Sequence, residues 1–282
     1  MHTPVLLQQA IDSLEVKTGG KYIDATFGEG GYSQEIVRRG GKVLAIDLDI
    51  NQLNGHSETA HSQLARSLSR MTLKLVQGNF ADIERIAKEN DYDFVDGIIF
   101  DLGLSMGQLG SLGRGFSYKN LNDPLDMRIN VSSGVETAAD LIWRLKESEL
   151  YELFAKNSEE LRSKEIAHEV KIGKKINSVS NLITAINRAI PYKSYNTYAK
   201  IFQALRIEVN DEFLNLRRGL EGAAKITNKS GKIVVVTFHS LEDRIVKNFV
   251  KNNNCKLSEK KPIRSKSGYK FERSAKIRAF SI

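Results

Sequence analysis

Cysteine is almost missing from this sequence: Cys255 is the one thiol in 282 residues. An internal disulfide is thereby excluded, and a reducing compartment is indicated. His2, His56, His61, His168 and His239 show no metal-ligand spacing with that cysteine or with each other, so no metal site is expected. No apolar run approaches the ~20 residues that a membrane span requires. The opening stretch, Met1-His2-Thr3-Pro4-Val5-Leu6-Leu7-Gln8, lacks the basic region and long apolar core of a secretory signal. The expectation is a cytoplasmic protein without a membrane partner. There is no surplus of acid either: 42 Lys and Arg against 34 Asp and Glu leave a net charge of +8, which favours a polyanionic partner without identifying it.

What is present centres on one stretch. Lys21-Tyr22-Ile23-Asp24-Ala25-Thr26-Phe27-Gly28-Glu29-Gly30-Gly31-Tyr32-Ser33 begins as an apolar strand, turns on three glycines and runs into the helix-like Gln34-Glu35-Ile36-Val37-Arg38-Arg39. In such an elbow Gly28 and Gly30 permit backbone angles closed to other residues, and a ligand can lie against main-chain N–H groups. A second strand, Lys42-Val43-Leu44-Ala45-Ile46, ends in Asp47, 23 positions after Asp24. That is close to the ~20-residue spacing at which an acidic residue hydrogen-bonds a ribose hydroxyl. Together they imply a nucleoside-containing ligand. Asp24 stands where a pyrophosphate would approach; its charge repels phosphate and suits an ammonium group. S-adenosylmethionine therefore fits better than NAD.

The βα alternation continues with a helix and loop over Ile50 to Arg70, a strand Leu73 to Gln77, a helix Ile83 to Lys88 and a fourth strand, Asp93 to Phe100. Phe80 follows the third strand, where residues flank the adenine in this fold; base stacking and core packing are both open. The fourth strand delivers Asp101-Leu102-Gly103-Leu104-Ser105-Met106-Gly107-Gln108 to the carboxyl edge of the sheet, where ligands bind in open α/β folds. Asp101 either positions the cofactor or accepts a proton from an acceptor amine.

From Leu109 the alternation stops for about a hundred residues. Arg114, Phe116 and their glycines resemble equipment for stacking an unpaired base, and Asp123-Pro124-Leu125-Asp126-Met127-Arg128 is a tight loop. Helices are expected over Ala138 to Phe154, Leu161 to Ile176, and Ser180 to Ile190 with Ser180 as cap and Pro191 as stop. The longest helical periodicity, Tyr198 to Lys225, places Phe202, Leu205, Val209, Phe213, Leu216 and Leu220 in one stripe and Gln203, Arg206 and Asn210 on another face. A buried strand, Gly231 to Phe238, precedes a capped helix from His239, and the basic tail Lys256 to Arg278 ends in a final strand. The fold class is α/β, a class I methyltransferase with a Rossmann-like, mostly parallel sheet over residues 1–108 and 206–282, and an all-helical insert at 109–205.

Over nearly its whole length the chain resembles the RsmH (MraW) family of 16S ribosomal RNA cytosine-N4 methyltransferases. The resemblance is carried by His2 to Leu7, Tyr22 to Gly31, Asp101-Leu102-Gly103 with Gln108-Leu109, Arg114 to Ser117, Pro124 to Arg128, Phe202 to Ile207 with Val209-Asn210, Phe238 to Lys247, and Arg273-Ser274-Ala275-Lys276 with Arg278. It implies that Gly30, Gly31, Tyr32, Asp47, Phe80, Asp101 and Gln108 hold S-adenosylmethionine, and that the substrate is a cytidine in the decoding region of the small-subunit RNA. On this basis Arg114, Phe116, Arg128, Arg206 and Asn210 are expected to face the 16S rRNA within the small ribosomal subunit, in a monomer or a homodimer. The sequence departs from the family in carrying Tyr32 in place of His, Met106-Gly107 in place of Ser-Pro, and Asn196-Thr197-Tyr198-Ala199-Lys200 in place of His-Pro-Ala-Thr-Arg. The last change bears on RNA affinity or substrate positioning.

Overall fold

The computed structural model describes residues 4–48, 72–103, 113–131, 134–173, 175–265 and 273–282. The expected helix and loop over Ile50 to Arg70 lies outside the described residues, as does Gln108. Two compact units divide the chain: Met1–Gly103 with Phe213–Ile282, and Leu104–Glu212.

The first unit is built on strands β1 (Lys21–Asp24), β2 (Lys42–Asp47), β3 (Leu73–Gln77), β4 (Val95–Asp101), β5 (Thr227–Thr237), β6 (Lys256–Leu257), β7 (Ile263–Arg264) and β8 (Lys276–Ser281). They form one sheet in the order β3-β2-β1-β4-β5-β8-β6, with β7 also on β8. The first five strands are parallel, and β8 runs antiparallel to β5.

Successive side chains of a strand leave on opposite faces, and here both faces are apolar. Tyr22, Val43, Ala45, Ile99 and Val234 pack with Ile11 and Leu14 of α1 (Leu7–Leu14) and Ile36 of α2 (Gly31–Arg38). Ile23, Leu44, Ile46, Ile98 and Phe100 pack with α3 (Ile83–Lys88), with Leu216 and Leu220 of α9 (Glu212–Ile226), and with Val246 of α10 (Ser240–Asn252). Because β1 lies between β2 and β4, the strand order reverses at β1, and Asp24, Asp47 and Asp101 end the three strands around that point.

The second unit is helical. It comprises α4 (Ala138–Arg144), α5 (Glu147–Ser158), α6 (Ser163–Ile172), α7 (Val179–Ala189) and α8 (Tyr195–Val209), which share a core of Leu141, Leu150, Phe154, Ile166, Leu182, Ile186, Tyr198 and Leu205 among others.

Three helical expectations are corrected. The helix expected over Ala138 to Phe154 is two helices: Leu145 is extended, and the Glu149 carboxylate accepts the Lys146 N–H at 2.7 Å, capping a new start. The α7 cap is Ser178, not Ser180; its Oγ accepts the Asn181 N–H. The long helix over Tyr198 to Lys225 breaks at Asn210 and at Asp211, whose φ is +50°. Its apolar stripe belongs to two cores: Phe202, Leu205 and Val209 to the helical unit, Leu216 and Leu220 to the sheet.

Candidate active site

The elbow after β1 is held by its own neighbours. Gly30 has φ +76°, and a Cβ there would lie 2.6 Å from the Phe27 ring; at Gly31 a Cβ would meet Pro4 Cγ at 2.3 Å. These two glycines are required by packing. Gly28, with φ +52°, is different: a Cβ would meet nothing nearer than 4.0 Å, so its missing side chain leaves open space. The Asp47 carboxylate accepts the Gly28 N–H at 2.8 Å and so joins the end of β2 to the elbow.

Asp24 is fully buried, accepting from Ser33 Oγ at 2.7 Å and from the Thr26 N–H at 3.2 Å. Burial raises its carboxyl to about 6, although these hydrogen bonds oppose the rise; the neighbouring Asp47 charge adds to it. Asp101 donates its N–H to Thr26 Oγ1 at 2.7 Å, which fixes the end of β4 against the elbow. Its Oδ1 is sealed from solvent and has no hydrogen-bond partner among the described residues. Burial foremost, then the charge of Asp24, lift the Asp101 carboxyl to about 8; the Gly103 N–H lowers it and Glu242 raises it.

Thr26, Ser33 and Glu242 therefore belong to the site's support although their spacing alone did not mark them. Glu242 comes through a capping box: His239 Nδ1 accepts the Glu242 N–H at 3.3 Å, and the Glu242 carboxylate accepts the Phe238 and His239 N–H groups. His239 is thus the N-cap of α10. Phe238 in turn packs on Gly103, where a Cβ would lie 2.7 Å from its ring.

The remaining expected cofactor residues are placed differently. The Tyr32 hydroxyl donates to the Val5 carbonyl at 2.6 Å and its ring is buried in the core, so it anchors the segment ahead of α1. Phe80 is half-buried, edge-on to Phe100 with centroids 5.7 Å apart, and a Cβ on Gly219 would touch it at 2.8 Å.

In the helical unit three of the expected RNA residues, Arg114, Arg128 and Asn210, converge on one loop. Arg114 donates to the carbonyls of Arg128 and Ile129 at 3.1 and 3.2 Å. Arg128 makes a two-pronged pair with Asp126, both contacts 2.8 Å. Asn210 accepts the Ile129 N–H and donates to Met127 O and Arg206 O, holding Met127 in the left-handed region at φ +60°. Arg206 pairs with Glu212 at 2.8 and 3.0 Å. Phe116 packs against the helical core. Four of the five residues thus build the 126–130 loop or the turn into α9.

The carboxylates decide which cofactor fits. The charge of Asp47 raises the cost of ionising Asp24, that of Asp24 raises the cost for Asp101, and one buried Asp101 oxygen has no partner among the described residues. A cationic ligand relieves that repulsion, whereas a pyrophosphate adds to it. S-adenosylmethionine carries a sulfonium and an ammonium group beside an adenosine, and the site suits it. Among the described residues no helix is long and apolar enough to cross a membrane, and no cluster of His, Cys, Asp and Glu is placed to hold a metal.

The sequence matches the model of the MraW methylase family over residues 1–277. A ribosomal RNA small subunit methyltransferase H from Carboxydothermus hydrogenoformans is 40% identical over 263 residues, covering 90% of this chain and 82% of its own. A protein of the same name from Dictyoglomus thermophilum is 39% identical over 270 residues, covering 91% and 86%. Among solved structures, an rRNA methylase from Streptococcus thermophilus aligns over 100% of this chain and 98% of its own at 8% identity, with a TM-score of 0.44. With a glycine elbow, three strand-end carboxylates and a family pattern that runs through both units, the chain belongs to the MraW methylase family, and S-adenosylmethionine is its cofactor.

Proposed function

We propose that the chain methylates the exocyclic N4 of a cytidine in the decoding, P-site region of small-subunit 16S ribosomal RNA. The relatives named above support the RNA and the subunit. The observation that carries the chemistry is the buried Oδ1 of Asp101 at the carboxyl end of β4, which has no hydrogen-bond partner among the described residues.

The exocyclic amine of cytosine is a poor nucleophile, because its lone pair is delocalised into the ring. When bound, S-adenosylmethionine supplies an electrophilic methyl group on a sulfonium centre. Holding the amine in line with that group is worth roughly 7–11 kcal/mol. An acceptor for the amine proton draws the lone pair out of conjugation, and a carboxylate whose basicity is raised by burial is a better acceptor than a solvated one. In this reading Asp101 holds one N4–H, and Thr26 fixes its backbone. Asp24 and Asp47 face the cationic and ribose ends of the cofactor, with Gly28 leaving room for its approach. The loop built by Arg114, Arg128 and Asn210 presents the RNA-facing surface of the helical unit.

The test is incubation with methyl-labelled S-adenosylmethionine and small ribosomal subunits that lack the modification, followed by digestion to nucleosides. Label in N4-methylcytidine is expected. Label in another nucleoside would reassign the acceptor, and no label despite cofactor binding would replace the enzyme by an RNA-binding assembly factor.

A further inference from the structure

The helical unit carries a cluster of tyrosines that the methyl-transfer reading does not use. Tyr195 opens α8 with 60% of its surface exposed, and Tyr192, three residues earlier, is 71% exposed. Single exposed aromatics are ordinary, but Tyr195 has a built foundation. Beneath Tyr195 lie Tyr118 and Tyr198, with ring centroids at 6.2 and 5.9 Å, and Tyr118 continues to Phe202 at 6.2 Å. Tyr198 is 1% exposed and its hydroxyl is fixed on Asn187. Ser194 caps the helix beside them, its Oγ accepting the Thr197 N–H at 3.2 Å. The Tyr195 ring is thus seated on a rigid aromatic floor with much of its surface in solvent.

Along its own stretch of sequence the charge has one sign, with Arg188, Lys200 and Arg206 paired to Glu169, Glu160 and Glu212 from outside that stretch. Lys193 Nζ lies 5.3 Å from the centre of the Tyr195 ring. From Val170 to Ile207 the sequence contains seven Lys and Arg residues and no Asp or Glu. A protein partner with an apolar anchor would gain nothing from that bias, whereas a polyanion would. Unpaired nucleotides combine the two features, a π-face to stack and a phosphate to neutralise.

We propose that Tyr195, with Tyr192 and Lys193 beside it, is a stacking platform for an unpaired nucleotide of the substrate RNA. The nucleotide it holds is a second one, distinct from the methylated base. This inference rests on the reading that the substrate is RNA. It gives the helical unit a role in capture: the platform acts on RNA affinity and leaves the chemical step to the sheet unit.

Two measurements on the full-length protein test it. The first is binding of a short single-stranded RNA oligonucleotide by fluorescence anisotropy. Tyr195→Ala is expected to weaken binding by about 5-fold to 150-fold, the range for loss of one base–aromatic stack, with Tyr195→Phe close to wild type. Lys193→Ala is expected to weaken binding and flatten its salt dependence. The second is methyl transfer into small subunits that lack the modification, where Tyr195→Ala should raise KM and spare kcat. Unchanged oligonucleotide affinity in Tyr195→Ala, with unchanged melting temperature, overturns the platform and leaves the exposed rings to a protein partner. If wild type binds the oligonucleotide through Tyr195 but transfers no methyl group, the platform stands and the proposed activity fails. If wild type methylates subunits and Tyr195→Ala keeps its KM, the activity stands and the platform falls.

Discussion

Asp101 and Thr26 are joined across 75 positions of sequence by one hydrogen bond, the Asp101 N–H to Thr26 Oγ1 at 2.7 Å. The end of β4 is thereby registered on the elbow that follows β1. A carboxyl group with one dry oxygen is thereby held against the glycine elbow.

Asp101→Ala should reduce turnover by about 10²–10⁴-fold, the usual worth of a positioned proton acceptor, with cofactor affinity changed much less. Single-turnover kinetics separates the two effects. Full activity in the variant would remove Asp101 from the chemistry.

The same carboxyl makes a pH prediction with a definite sign. In the cofactor-free protein burial raises Asp24 to about 6 and Asp101 to about 8, both above the ordinary carboxylate value of 3.8. Between those limits the native state holds more protons than the unfolded chain, so stability is greatest at low pH in that window and declines as pH rises through it. Asp101→Asn, which cannot ionise, should therefore melt higher than wild type at pH ~8.5, and the gain should vanish towards pH ~4. Each kcal/mol moves the melting temperature by about 2–4 °C in a protein this size. A pH-independent difference between the two proteins would contradict the burial of that charge.

Asp47→Ala should weaken S-adenosylmethionine binding by about 1.5–3 kcal/mol, the range for a hydrogen bond to a charged group. Part of that loss comes through Gly28, whose N–H loses its acceptor. Calorimetry showing unchanged affinity would detach Asp47 from the cofactor.

Gly30→Ala tests the elbow. The new side chain meets both the left-handed backbone, at about 1–2 kcal/mol, and the Phe27 ring at 2.6 Å. A loss of at least ~2 kcal/mol in urea unfolding is expected, since overpacking adds about 1–3 kcal/mol. Gly28→Ala has only the backbone strain to bear and should unfold closer to wild type, yet bind the cofactor less well because its methyl enters open space.

Asn210→Ala addresses the helical unit. Its side chain serves the Ile129 N–H and the Met127 carbonyl, and its loss leaves those two backbone groups without it at about 1–3 kcal/mol each; the Arg206 carbonyl keeps the backbone N–H of residue 210. The variant should lose protection from amide exchange at Ile129 while the sheet unit keeps its own. Unchanged exchange at Ile129 would show that the loop holds without Asn210.

The order of β1 to β5, both glycine turns of the elbow and all three strand-end aspartates were legible in the sequence, because a strand buried on both faces and a glycine forced to positive φ leave local marks. The break at Asn210 was not legible. Phe202 to Leu220 keeps one helical period straight through it, and only the partners of Asn210 and the left-handed Asp211 show that the stripe divides between two cores. Arg114, Arg128 and Arg206 read as free cations for RNA for a similar reason: a sequence states a charge but not the carboxylate or carbonyl that tertiary folding brings to it.

The sequence by itself determined that Asp24, Asp47 and Asp101 would each end a strand, since each stands where an apolar run stops; the reversal of strand order at β1, which gathers them at one edge of the sheet, belongs to the tertiary structure. Tertiary structure decided what those groups are. Burial, the Ser33 and Thr26 hydroxyls and repulsion between neighbouring carboxylates set which of them is satisfied and which keeps a dry oxygen without a partner among the described residues, and desolvation depends on neighbours that lie far away along the chain.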